Sequence, residues 1–480
     1  MPINSLSTNP NIINNKNNQP ISLNQVNYSV VASPNNINPN NAAFSGISNI
    51  PFSSYFSKTQ TPQKIYKELY NSLDNEGKVR IESLLKTGKL FSRDSTDGST
   101  TLQNLYKIIT EPRVRGLNSK KILDEAVKTL ANPYIITQDF SEIPGPLIGS
   151  IIENEKQSNP AVGKLLTPDD LNMKETNSCV AASIEFNLAD KRPSEFARYA
   201  ASLTSPDLCV KTKAKYEDIA DINLLEAVNW LNQYKVENKS LDWNTVEFTL
   251  RPDREAIIRA RVQNTYQNPG TKSSIDVLMQ STFMQVGSCN DYNSLIDKNN
   301  KDFIKNNKKE KFDSDENEPS DDGISFEAQD FINTIVDSKT KKVTLIYHDF
   351  DDNNYLNKDK ICDYETVKKH LLDTLKTGSN VIIGIDKIEN NKFMMGHEIV
   401  ITGTKLDKNN ELYFTCFGIH PSTGETFDLS SVLFLDNPGH ALVKAEELIP
   451  KIHHASIPIK ILDTEDPTKA AFSIFDHISK

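Results

Sequence analysis

Five cysteines and eight histidines carry most of the nucleophilic and metal-binding potential of this 480-residue chain. Cys179, Cys209, Cys289, Cys362 and Cys416 are an odd, scattered set with no CxxC pair, which excludes a disulfide-dense scaffold and the usual zinc frameworks. One of them has the context of a helix start. In Thr176-Asn177-Ser178-Cys179-Val180-Ala181-Ala182-Ser183-Ile184-Glu185-Phe186, a polar turn rich in capping residues stops at the cysteine, and small and apolar residues then continue at helical spacing. Unpaired N–H groups and the helix dipole stabilise a thiolate there, as a nucleophile requires. The plainer use of such a cysteine is as a small core residue. Its natural counterpart is His397 in Gly396-His397-Glu398-Ile399-Val400-Ile401-Thr402-Gly403. A histidine at the mouth of an apolar strand, just after a glycine, is placed to face a cleft and accept a thiol proton; otherwise it is a satisfied strand-end histidine.

The remaining candidates are weaker. Cys416 and His420 lie four apart without a second pair to complete a tetrahedral metal site. His453-His454 reads as an exposed loop. Gly439-His440 copies the Gly-His pattern but runs into charge at Lys444 to Glu447. Cys289 follows an apolar run, lacks a helix N-terminal field and reads as structural. Asp349, Asp351 and Asn353 alternate like the first ligands of an EF-hand, but Asn354 stands where that loop needs glycine and Lys360 where it needs glutamate, so an acidic turn is expected. No phosphate-binding glycine loop is present. Neither a metal nor a cofactor is expected.

The elements that must position these residues follow from composition and periodicity. Asparagine fills 15 of the first 50 positions, so 1–60 reads as a disordered tail that buries too little to offset its ordering entropy. Helical spacing begins near Pro62 and recurs at 78–85, 102–109 and 119–130, giving a small helical unit over 61–150, with Ile143 to Pro146 as a turn. Further helices are expected at 194–202, 222–234, 253–263 and 274–284. Between 297 and 323, 15 of 27 residues are charged, the mark of a solvated, disordered insertion. Beyond 324, helices at 326–336 and 364–375 alternate with apolar strands at 342–347, 381–385, 398–402 and 412–417, the last three joined by short polar turns that favour antiparallel pairing. Helices first and sheet afterwards is the order of an α+β fold over 151–480.

The formal charge of −10 argues against nucleic acid as the main partner. No apolar run reaches the ~20 residues that a membrane helix needs, and the start lacks the basic and apolar regions of a signal peptide. A cytoplasmic location or export by a non-classical route is the expectation.

Taken together, Asn177-Ser178-Cys179 followed by Ala181-Ala182-Ser183, and Gly378…Val381–Ile385…Gly396-His397…Gly403, resemble the papain-like cysteine peptidases in the broad sense that includes bacteriocin-processing bacterial types. The resemblance spans roughly 165–435. It implies a helical half followed by an antiparallel sheet, Cys179 as nucleophile, His397 as general base and a polypeptide substrate. The chain departs from the pattern at two places. Met173 stands where the family has its oxyanion glutamine, leaving Asn172 and Asn177 as nearby amides. His420, before Pro421, stands where relatives often carry the acidic orienting residue, with Asp428 and Asp436 as later carboxylates. These departures admit two rivals: a non-catalytic module that binds a protein partner on the same fold, and a transglutaminase-like Cys–His acyltransferase.

Overall fold

Capping side chains set several helix starts in the first half of the chain. The computed structural model describes residues 60–172, 176–214, 246–268, 270–288, 290–309, 324–336, 342–351, 353–437 and 439–458. The asparagine-rich tail, the helix expected at 222–234, the later part of the charged insertion, Met173 and Cys289 lie outside the described residues. Helices α1 (Gln60–Ser72) and α2 (Asn75–Lys86) are separated by Asp74, whose carboxylate accepts from the Gly77 N–H. A Thr100–Gln103 capping box opens α3 (Thr101–Thr110), and Asn118 caps α4 (Ser119–Ala131). The stretch expected to be only a turn starts α5 (Gly145–Ser158), because Pro146 fits a first helical turn, where its missing N–H is not needed.

Short α6 (Pro160–Gly163) and α7 (Pro168–Leu171) lead to α8 (Cys179–Lys191), then α9 (Pro193–Leu203). These two longer helices are buried almost all round, as central helices are. A two-stranded ribbon of β1 (Val210–Ala214) and β2 (Val246–Leu250) precedes α10 (Ala256–Tyr266) and α11 (Ser274–Gly287). The early helices are not set apart from the rest. Asp94 accepts from the Ser194 N–H and hydroxyl, and the Thr96 N–H donates to Glu195, so the described residues form one compact unit.

The charged stretch begins as ordered structure, contrary to expectation. Residues 292–309 contain the short pair β3 (Tyr292–Asn293) and β4 (Lys298–Asn299), then α12 (Asn300–Lys309). Charge density misled because Asp297 is buried beside Lys272 and Tyr292, while Phe303 and Ile304 pack with Ile151 and Val162. After α13 (Phe326–Val336) come β5 (Lys342–Ile346), α14 (Tyr364–Lys376), β6 (Val381–Glu389), β7 (Lys392–Leu406), β8 (Leu412–Phe417), α15 (Pro421–Thr426), β9 (Leu433–Phe434), β10 (His440–Lys444), α16 (Ala445–Leu448) and β11 (Ile452–Pro458).

The seven strands form one sheet in the order β5-β11-β6-β7-β8-β10-β9, every neighbour antiparallel. The last strand inserts between β5 and β6. His453 and His454 therefore belong to an interior strand, not the exposed loop their sequence suggested; Ile452, Ala455 and Ile457 around them are buried. One sheet face packs Ile383, Ile385, Ile399 and Ile401 against Val367 and Leu371 of α14. Each such side chain contributes about 1.5–3 kcal/mol on full burial. Against the other face lies α8, whose Phe186 stacks on Phe417 with centroids 4.3 Å apart. The architecture is thus mixed, a helical half followed by an antiparallel sheet.

Candidate functional site: a helix-start cysteine against a strand edge

Buried polar side chains hold the turn before Cys179 at three successive residues. The Thr176 hydroxyl donates to the Gln138 carbonyl at 2.6 Å, and the Asn177 N–H donates to Asp297 Oδ2 at 2.5 Å. Ser178 Oγ accepts from Lys272 Nζ at 2.9 Å and donates to Gln280 Oε1 at 3.1 Å. Lys272 is 1 % exposed, with its ammonium 3.9 Å from the Phe140 ring centroid. Burial pushes its pKa down to about 8, opposed by Asp297 and Asp276. Burial likewise raises Asp297, against the pull of Lys272 and the Tyr292 hydroxyl.

Cys179 is the first residue of α8, and Ser178 makes no side-chain cap. The N–H groups of the first turn are therefore left to the sulfur and to any ligand beside it. Backbone hydrogen bonds from Glu398, Val180 and Cys179 itself favour the thiolate. Burial first, and the charge of Glu398 second, outweigh them and push the thiol up to about 11.

The contact with Glu398 shows how α8 meets the sheet. Going toward the start of β7, the last residue paired with β8 is Val400, opposite Phe417. Glu398 is left without a β8 partner, and α8 takes that place. Its N–H serves the Cys179 sulfur, while its carbonyl accepts from Ser183 Oγ, one helical turn further on, at 3.5 Å. Strand N–H and C=O groups lie in the plane of the sheet, so Ser183, one turn after Cys179, meets β7 on the side that β8 has left. His397 and Glu398 project from there to opposite faces.

His397 donates its Nε2–H to the Gly418 carbonyl at 2.9 Å, which leaves the lone pair on Nδ1. Gly418 has φ +92, and a Cβ there would meet Ile399 Cγ2 at 3.3 Å, so glycine is required at this acceptor. Burial lowers the His397 pKa, with the Gly418 bond and Glu398 opposing. No hydrogen bond joins Cys179 to His397.

The group orienting His397 is a carbonyl and none of the three side chains considered from sequence. His420 lies close enough for its pKa to fall, through burial and then the charge of His397, but no bond between them is present. Asp436 accepts from or pairs with His440 Nδ1 at 2.8 Å. Asp428, in a left-handed turn with φ 51, lines a cleft of about 380 Å³ with Asp386, Ile388, Glu447, Pro450 and Lys451. Of the two amides, Asn172 Oδ1 accepts from the Ile143 N–H, and Asn177 is an exposed residue whose backbone N–H is tied to Asp297. Lys360 Nζ sits 2.7 Å from Asp349 Oδ2, where the EF-hand reading would need a cation. Cys416 is buried in the sheet core, and burial raises its thiol strongly. Among the described residues no group of His, Cys, Asp and Glu has metal-binding geometry, and no helix is long and apolar enough to cross a membrane.

Sequence reasoning missed a second set of residues, joined to one another across β6, β7 and β11. Glu398 Oε1 pairs with His454 Nε2 at 2.9 Å; His453 contacts Asp386, whose Oδ2 is 2.9 Å from His348 Nε2. A carboxylate inside an otherwise apolar strand was the available signal for Glu398. No family model matches the chain, and neither the curated proteins nor the solved structures contain a match.

Proposed function

We propose that the chain is a papain-like thiol hydrolase that cleaves amide bonds in polypeptide, with Cys179 as nucleophile and His397 as general base. The observation that carries this reading is the docking of α8 on the free edge of β7, which puts a helix-start thiol against the residue next to a histidine whose Nδ1 is its available base. The papain-like layout, a buried central helix with its N-terminal cysteine against an antiparallel sheet, belongs to the same proposal.

Both groups are neutral at rest, so proton transfer accompanies attack instead of preceding it. Sulfur bonds to the carbonyl carbon as its proton passes to His397 Nδ1; the C–N bond then breaks and the proton leaves on the amine. Water, giving its proton to the same nitrogen, adds to the thioester; the C–S bond then breaks, the acid is released and the proton returns from His397 to the Cys179 sulfur. Free N–H groups at the start of α8 stabilise the oxyanion. The test is hydrolysis of an unfolded protein substrate by the wild type and Cys179→Ala. Loss of turnover with an unchanged melting temperature is expected, and unchanged turnover in the variant would refute the assignment. One observation favours a second reading, a non-catalytic protein-binding module: the charge of Glu398 beside the thiol opposes ionisation.

A further inference from the structure

The cleft that Asp428 lines has a buried carboxylate in its wall. Asp386 follows the apolar run of β6 and lines the cleft, yet its side chain is only 3 % exposed. Oδ2 lies 2.9 Å from His348 Nε2 and 3.6 Å from His453 Nδ1, and the two rings stack with centroids 5.2 Å apart. Phe350 packs edge-on against both rings, which fixes the imidazoles and with them the carboxylate. Oδ1 has no hydrogen-bond partner among the described residues, and no lysine or arginine there pairs with Asp386. Across the ladder stands Gly396, where a Cβ would lie 3.4 Å from Oδ1; glycine leaves that oxygen uncovered. Asp428, Glu447 and Lys451 line the same cleft of about 380 Å³, so three negative charges meet one positive.

We propose that this cleft receives the side-chain ammonium of a lysine in a bound polypeptide, with Asp386 Oδ1 as its partner and Asp428 and Glu447 adding to the attraction. The polypeptide rests on the hydrolase reading: Gly396, which borders Oδ1, directly precedes the general base His397. A carboxylate held largely out of water attracts a cation more strongly than an exposed one, because its field is less screened. Its orientation by two packed rings means that little freedom is lost on binding. The open oxygen also chooses between cations. A guanidinium gains from engaging both oxygens of a carboxylate with its planar fork, and here Oδ2 is held by the histidines. An ammonium is a compact charge that needs only one. The cleft thus suits lysine over arginine, and Lys451 is the resident cation that opposes both.

The experiment titrates the full chain at about pH 7 with Nα-acetyl-lysine methylamide and follows the ring signals of His348 and His453 by NMR, since both rings adjoin Asp386. Saturable shifts are expected in the wild type, with binding at least about tenfold weaker in Asp386→Asn. The double change Asp428→Asn with Glu447→Gln should weaken binding about threefold, and Lys451→Met should tighten it by a similar factor. Opposite signs along one wall mark a charge effect that a merely structural role would not produce. The arginine analogue should bind several-fold more weakly, and neutral Nα,Nε-diacetyl-lysine methylamide should not bind. Where Asp386→Asn fails to fold, the three rim substitutions decide, and asparagine suits the left-handed turn at 428. Equal binding of the diacetyl analogue or of glycinamide, or an affinity that none of the charge variants changes, would overturn the proposal. Hydrolysis of an unfolded protein, with cleavage sites mapped by mass spectrometry, separates the two levels. Cleavage with lysine at one fixed position from the scissile bond supports both. Lysine binding without hydrolysis by the wild type keeps the cleft and removes the hydrolase, whereas hydrolysis without lysine binding does the reverse.

Discussion

The turn carrying Cys179 and the strand carrying His397 are positioned by different physics. The turn is held by side chains buried in the helical half: Lys272 and Gln280 on Ser178, and Asp297 on the Asn177 backbone. The strand is held by a backbone ladder with β6, and its histidine by a backbone carbonyl at Gly418. Ladders depend little on which side chains are present, whereas a buried ionic network depends on each member. The thiol end of the site should therefore be brittle to substitution and the imidazole end tolerant.

The largest effect expected from this contrast is at Lys272. Lys272→Met removes the ammonium that serves Ser178 and faces Asp297, leaving a buried carboxylate uncompensated, and should destabilise the fold by about 3–5 kcal/mol. Denaturant midpoints would check it; a loss below ~1 kcal/mol would mean that the turn is held by its backbone after all. Next comes Gly384→Ala. The added methyl meets the His454 ring, so the substitution should cost about 1–3 kcal/mol by overpacking and break the His454–Glu398 pair, visible as a fall in the His454 pKa by NMR.

Acid should weaken the sheet end through its neutral histidines. Burial lowers His453 to about 4, against the pull of Asp386, and lowers His397 and His420 as well. The native state then binds fewer protons than the unfolded chain below the ordinary histidine pKa of about 6.5. Stability contributed by neutral His453 is present above that value and is lost as pH falls from about 6.5 toward 4. Thermal melts across this window should show the loss, and His453→Gln should flatten it. His454, being raised, acts in the opposite sense and stabilises at low pH. The smallest effect belongs to the surface pair of Asp436 and His440. Asp436→Asn should change stability by about 0–1 kcal/mol and leave Cys179 alkylation unaltered, separating it from any orienting role.

Legibility in the sequence divides along the same line. The helix starts, α14, and the β6–β7–β8 meander follow from caps, apolar runs and short turns, all local signals. The position of Cys179 at a helix start was readable for the same reason. β11 was not: its two histidines broke the apolar pattern, and their partners, Glu398, Gly384 and Asp386, are remote in sequence. Nor were Lys272 and Asp297, because buried charge is recognised by its compensation, which only the tertiary structure supplies. His420, Asp428 and Asp436 competed to orient His397 on sequence grounds, while the acceptor is a carbonyl, a group that every residue carries and no pattern reveals.

The central claim, a nucleophilic Cys179 served by His397, is tested most directly by covalent labelling with a peptidyl acyloxymethyl ketone, which reacts through a thiol aligned for attack on a carbonyl. Intact-mass and peptide analysis of the wild type should show one adduct, on Cys179, and His397→Ala should label at least ten times more slowly at the same pH, a loss within the range of a general base. Equal labelling of Cys209 and Cys362, or an unchanged rate on Cys179 in His397→Ala, would contradict the account.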